Sequence, residues 1–128
     1  MRWRSPVRFL VPLVSAMVLA SAFPATSQIV TDEARRSAYE AALKCFVANG
    51  SAYGDAQKAG DAAEAAAFDA KARASFDAAV RLGELLGHSG TRVEQDFRLT
   101  QMRELPQIVS NPAYARQSLQ TCKALGLA

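Results

Sequence analysis

The sequence predicts an all-α fold: a small four-helix up-and-down bundle with long first and second helices, stapled by one disulfide between the first and last helix. Three observations carry this. Apolar residues recur at three- and four-residue steps along four segments, and no stretch sustains the period-two alternation of a strand. Helix start and stop signals stand between those segments. The chain has two cysteines, Cys45 in the first segment and Cys122 in the last.

The elements follow in order. Thr31 is a side-chain cap for a first helix, and Asp32 and Glu33 place negative charge where the helix dipole favours it. Tyr39, Leu43, Phe46 and Val47 share one face, and Ala38, Ala42 and Cys45 form a stripe of small residues beside it. Ala52, Tyr53, Ala56 and Ala59 continue the period past Asn49-Gly50-Ser51, so the helix runs to about Lys58, with Gly50 or Gly54 as places for a kink. Gly60-Asp61 is the clearest boundary, because glycine accepts the left-handed conformation that ends a helix and Asp61 with Glu64 forms a capping box. The second helix runs to about Leu86, with Phe68, Ala72, Phe76, Ala79, Val80, Gly83 and Leu86 as its inward stripe. Thr91 with Glu94 repeats the capping-box pattern and opens a third helix in which Val93, Phe97, Met102 and Leu105 face inward. Pro106 lacks an amide hydrogen and is expected to kink or end that helix. Asn111-Pro112 is a cap followed by proline at the first helical position. Tyr114, Ser118, Cys122 and Leu125 then share a face, and Gly126 closes the last helix.

The pairing of Cys45 with Cys122 is one prediction with the length of the first helix. A helix stopping at Asn49 would leave Cys45 at its end and Cys122 ten residues into the last helix. Extension past Gly50 brings the two sulfurs to one height in an antiparallel pair.

The first 27 residues belong to a different kind of segment. Arg2, Arg4 and Arg8 precede a fifteen-residue apolar run, Phe9 to Phe23. Pro24 and the small residues Ala25-Thr26-Ser27 follow, which is the order of a secretory signal peptide. Residues 1–27 are read as that signal and 28–128 as a single helical domain. Cleavage falls after Ser27 or after Ala22. The apolar run is shorter than the roughly 20 residues a spanning helix requires, and Pro12 interrupts it. No stable membrane insertion is expected after cleavage. Rich alanine and arginine and a short signal suit a bacterial protein in the periplasm or secreted, where a disulfide persists.

Cleavage also changes the charge. The whole chain has 15 basic and 12 acidic side chains, hence +3. Removing Arg2, Arg4 and Arg8 leaves 12 of each. Nucleic-acid binding needs clustered positive charge that survives processing, so it is excluded as the expected function. Five acid-before-base pairs at i, i+4 (Asp32–Arg36, Glu40–Lys44, Asp69–Arg73, Asp77–Arg81, Glu94–Arg98) read as solvated helix faces.

The chemistry-bearing residues are sparse. His88 is the only histidine, and its position after the second helix suits a residue favoured by the helix dipole. No spacing supplies the three or four ligands of a zinc site. No C-x-x-C-H motif attaches haem. Neither cysteine sits at a helix N-terminus that would activate a thiolate. Gly50-Ser51-Ala52-Tyr53-Gly54 lacks the ending of a phosphate loop. The chain is therefore expected to be no enzyme and to carry no cofactor or metal. Tyr39, Tyr53 and Tyr114 either pack at the core edge with hydroxyls at water or mark a groove for a partner, and they are the candidate partner-binding residues. Leu99, Pro106, Ile108 and Val109 form a further apolar candidate patch. The expected function is that of an exported, non-catalytic helical protein that binds another envelope or secreted protein in an accessory, inhibitor or immunity-like role. The alternative is a carrier of a small apolar ligand in a cavity inside the bundle.

Overall fold

The structure is a computed structural model, and it describes residues 31–127. The signal-peptide reading of residues 1–27, with both cleavage sites, lies outside the described residues. Four helices follow one another: α1 (Asp32–Lys58), α2 (Ala62–Leu85), α3 (Gly90–Ser110) and α4 (Pro112–Ala124). They form the predicted four-helix bundle with long first and second helices, and α1 packs most extensively on the others.

The helix ends are set by local chemistry. The Thr31 hydroxyl accepts from the Ala34 amide at 3.1 Å, and the Asp61 carboxylate accepts from the Glu64 amide at 3.0 Å. Asn111 accepts from the amides of Ala113 and Tyr114, with Pro112 at the first helical position. Gly60 takes φ +73°, ending α1 with a conformation that costs glycine no steric strain. The third helix starts two residues earlier than expected. Ser89, with extended backbone, accepts from the Arg92 amide at 3.1 Å, which leaves Thr91 inside the helix.

Pro106 does not end α3, which continues to Ser110. The hydrogen bond it forfeits would have gone to the carbonyl of Met102. Both residues lie on the exposed side of the helix, where water can serve that carbonyl. α1 likewise runs unbroken through Gly50 and Gly54.

α1 and α2 pack as an antiparallel hairpin. Tyr39 lies against Gly83, Leu43 clusters with Ala79, and Phe46 meets Phe76. The seam is built from small residues: Ala42, Ala79 and Ser75 have no exposed surface, and Ala56, Ala65 and Ala72 are also buried. At Gly83, side chains of α1 and α3 press directly on the α2 backbone. A Cβ there would stand 2.7 Å from Cγ2 of Val93 and 3.3 Å from the Tyr39 ring. Tyr39, Leu43 and Val47 supply the large apolar side chains of α1, each worth about 1.5–3 kcal/mol when buried.

Cys45 and Cys122 are joined, with their Cα atoms 5.6 Å apart, inside the range a disulfide spans. With α1 running past Gly50, the linked prediction of bond and helix length holds. Around the bond, Val47, Ala48 and Ile108 form a second core cluster. Beyond α4, Gly126 at φ +72° lets the Leu127 amide return to the Cys122 carbonyl at 2.8 Å. The Leu127 carbonyl then accepts from Asn49 Nδ2 at 2.9 Å and Ser75 Oγ at 3.2 Å, and its side chain packs on both core clusters. Asn49, in the sequence a candidate helix end, is instead a fully buried tie between α1 and the end of the chain.

α3 turns inward Val93, Phe97 and Leu105 as its apolar spacing indicates, but not Met102, and it buries polar residues the spacing did not point to. Val93, Thr100, Glu104 and Ile108 are buried, whereas Met102 is 73% exposed. Polar partners on other helices decide this. Glu104 accepts the Tyr114 hydroxyl of α4 and lies 3.9 Å from Lys44 of α1, and Asp96 accepts the Tyr39 hydroxyl at 2.8 Å. Of the five expected i, i+4 ion pairs, Asp69–Arg73 at 3.1 Å and Glu94–Arg98 at 2.7 Å form among the described residues. Asp32 pairs with Arg35 instead, and Lys44 turns to α3.

Candidate functional site

α2 and α3 are each held to α1 and scarcely touch one another. The space between them is a half-open groove of about 450 Å³. Three phenylalanines line it, one from each helix: Phe46 of α1, Phe76 of α2 and Phe97 of α3. Phe76 stacks on Phe97 with centroids 4.9 Å apart, and Phe46 stands edge-on to Phe97 at 5.0 Å and tilted to Phe76 at 5.8 Å. Offset and edge arrangements of this kind are the favourable ones. Phe76 remains 43% exposed. The sequence placed it in the core; it is instead the wall of a groove, because Phe97 of α3 covers one side of it and leaves the rest open.

The apolar surface continues along α3. Arg98 and Gln101 line both the groove and an adjoining shallow face made of Met102, Leu105, Pro106 and Val109. Phe97, Gln101, Leu105 and Val109 recur at four-residue steps, so they form one ridge, about 18 Å long at the rise of an α-helix. Val109 is 72% exposed, and Ile108 of the expected patch is core. The rim carries Glu94 and Arg98, paired at 2.7 Å, and Glu84, which has no cationic partner within 4 Å among the described residues.

The three candidate tyrosines are not brought together. Tyr39 is buried, 4% exposed, so it has no surface to offer a partner, and its reading as a binding residue is corrected. Burial first, and then the hydrogen bond to the Asp96 carboxylate, push its hydroxyl above the ordinary tyrosine range. Tyr114 is half-buried and donates to Glu104, which together with burial raises its hydroxyl pKa. That bond ties α4 to α3 and makes Tyr114 a packing residue. Tyr53 lies near the α1–α2 turn, where its hydroxyl accepts from Gln57 Nε2 at 2.6 Å. Cys45 and Cys122, both 2% exposed, are structural.

His88 lines one end of the groove, with its ring edge-on to Tyr39 at 5.3 Å. Among the described residues no cluster of three His, Cys, Asp or Glu side chains has the geometry to hold a metal ion. No helix among them is long and apolar enough to cross a membrane.

The groove was legible only in part. Its phenylalanines stand out in the sequence, but whether an apolar face is covered depends on the distance between α2 and α3, which no local pattern encodes. No protein-family model, curated protein or solved structure matches this chain. Its function is therefore argued from its own geometry.

Proposed function

We propose that the chain is an exported, non-catalytic helical protein that binds another protein of the cell envelope or extracellular space, and that the partner inserts an amphipathic helix into the α2–α3 groove. The observation carrying this is the aromatic wall with Phe76 43% exposed at its edge. Contiguous exposed apolar surface of this kind marks interaction sites, and an apolar stripe between two helices suits a third helix laid into it. The rim residues Glu84, Glu94 and Arg98 leave one negative charge in excess, which favours a partner helix with a basic residue beside its apolar face. The open side of the groove argues for a macromolecular occupant over an enclosed small apolar ligand. The Cys45–Cys122 bond supports export, because disulfides persist in oxidising compartments.

Fluorescence anisotropy with a labelled amphipathic peptide of leucines and lysines tests the groove. The native chain is expected to bind it. Phe76→Glu should weaken binding about 30-fold, the loss typical of a central aromatic anchor. A partner captured from an envelope extract should compete with the peptide and escape capture by the Phe76→Glu variant. Binding or capture indifferent to Phe76→Glu overturns the proposal.

A further inference from the structure

A second groove, between α1 and α3, has a different chemistry. It encloses about 400 Å³, within the size range of small-molecule sites. Arg36 and Lys44 enter it from α1, and Arg92 and Arg103 from α3. The carboxylates lining it are Glu40 and Asp96, and Glu104 stands behind Lys44 and Arg103, so the groove with that carboxylate has one positive charge in excess. Residues 31–127 as a whole carry 12 basic and 12 acidic side chains. Basic side chains therefore outnumber acidic ones here in a domain whose total charge is zero.

The internal ion pairs leave much of that charge available. Asp96 is taken by Arg92 at 3.1 Å and by the Tyr39 hydroxyl at 2.8 Å. Lys44 and Arg103 share one buried carboxylate, Glu104, at 3.9 and 3.7 Å. Arg36 has no carboxylate within 4 Å among the described residues. Asp32, its expected partner, binds Arg35. Thr100 supplies an independent observation. It is 3% exposed and lines the groove. The hydroxyls of Ser75, Ser110 and Thr121 each return to the carbonyl four residues earlier. Thr100 makes no such bond among the described residues, so its hydroxyl is free to donate into the groove.

We infer that the α1–α3 groove is a binding site for a multiply charged oxyanion of phosphate type, held by Arg36, Lys44 and Arg103 with the Thr100 hydroxyl as a donor. Guanidinium groups match the paired oxygens of such an anion, and a groove walled by helices raises the field they create. The anion is either a free phosphate compound or a phospholipid headgroup. The site shares His88 at its edge with the α2–α3 groove and does not depend on its partner.

Isothermal titration calorimetry of the full chain with sodium pyrophosphate, at low ionic strength, tests the site. Saturable binding to one site is expected, weakening as salt is added. The double substitution Arg36→Ala/Arg103→Ala should lower affinity about 100-fold, near tenfold for each charged hydrogen bond lost. Both side chains are exposed, so the variant's unfolding midpoint should match the native one. Thr100→Val should lower affinity about fivefold. Arg73→Ala removes a cation of α2 outside the groove and should leave binding within about twofold of native. Co-sedimentation with phosphatidylglycerol vesicles separates the sources: pyrophosphate binding alone assigns the site to a free anion, and vesicle binding lost in the double variant assigns it to a headgroup. Failure to bind either, or equal weakening by Arg73→Ala, overturns the inference.

Discussion

Replacing Cys45 and Cys122 together by alanine removes the bond that closes a loop of 77 residues. The entropy gained by the unfolded chain corresponds to about 4–5 kcal/mol at that loop length. α4 is otherwise held lightly: Cys122 is its one buried residue, Ala115 and Leu119 pack partly buried beside it, and the Tyr114–Glu104 hydrogen bond and the Leu127 carbonyl complete its ties. The loss should therefore appear nearly in full, out of the 5–15 kcal/mol typical of a whole domain. A fall of roughly 20 °C in Tm follows from the scaling for domains near 100 residues. Urea unfolding followed by far-ultraviolet circular dichroism measures it, and native-state hydrogen exchange locates it. The amides of Pro112–Ala124 should lose protection before those of the α1–α2 hairpin, whose small-residue seam does not touch the disulfide. A variant destabilised by less than about 1 kcal/mol would refute the entropic reasoning, since the model's total for so long a loop is about 4–5 kcal/mol. Uniform loss of protection across all four helices would refute the claim that α4 is held separately.

Gly83→Ala sets two known effects against each other. Alanine gains about 1 kcal/mol of helix propensity, but its Cβ would stand 2.7 Å from Cγ2 of Val93. Val93 is a stiff β-branched side chain that cannot swing aside, so with an overpacking cost of 1–3 kcal/mol a net loss of about 1 kcal/mol is expected in urea midpoints; a gain would contradict it. The Tyr39 hydroxyl, held protonated by burial and Asp96, has a folded pKa above its unfolded one. Its contribution to stability is thus full below pH about 10 and declines as pH rises beyond that. Stability measured from pH 8 to 12 should fall less steeply in Tyr39→Phe than in the native chain. The exported protein should have the mass of a chain starting at Gln28 and lighter by the two hydrogens of one disulfide; retention of residues 1–27 would remove the signal-peptide reading.

The parts legible in sequence were those decided within one turn of helix or by covalent chemistry. Thr31, Asp61 and Asn111-Pro112 cap their helices because an oxygen needs only the next few amides. Cys45 and Cys122 could be paired because only two cysteines exist. What escaped was decided between helices. Ser89 and Thr91 are equally good caps locally, and the tight turn after α2 chose the earlier one. Apolar spacing chose Met102 over Thr100 and Glu104 as inward residues, because the hydroxyl of Tyr114 and the ammonium of Lys44 that meet Glu104 come from α4 and α1. The excess charge of the α1–α3 groove was hidden in the same way, since Arg36 and Arg103 lie 67 positions apart and a neutral total conceals their meeting.

Both grooves follow from how α1 holds its neighbours. α2 offers α1 an alanine seam and Gly83, so the two helices lie close and the larger side chains of α2 are pushed to its flanks. α3 is held to α1 by polar contacts, Tyr39 to Asp96 and Lys44 to Glu104, which turn its inner face toward α1 and α4 and its apolar ridge away. Two helices drawn independently onto a third need not meet. Here they meet at few points, among them the Phe76–Phe97 stack, and Phe46, Phe76 and Phe97 occupy the gap without filling it. A domain with no net charge to keep copies apart gains nothing in solubility from an open aromatic groove. A bulkier residue in place of Gln101 would narrow the gap at little cost to the α1 contacts. That the groove stays open beside so economical a seam is the physical reason to read it as a surface kept for a partner.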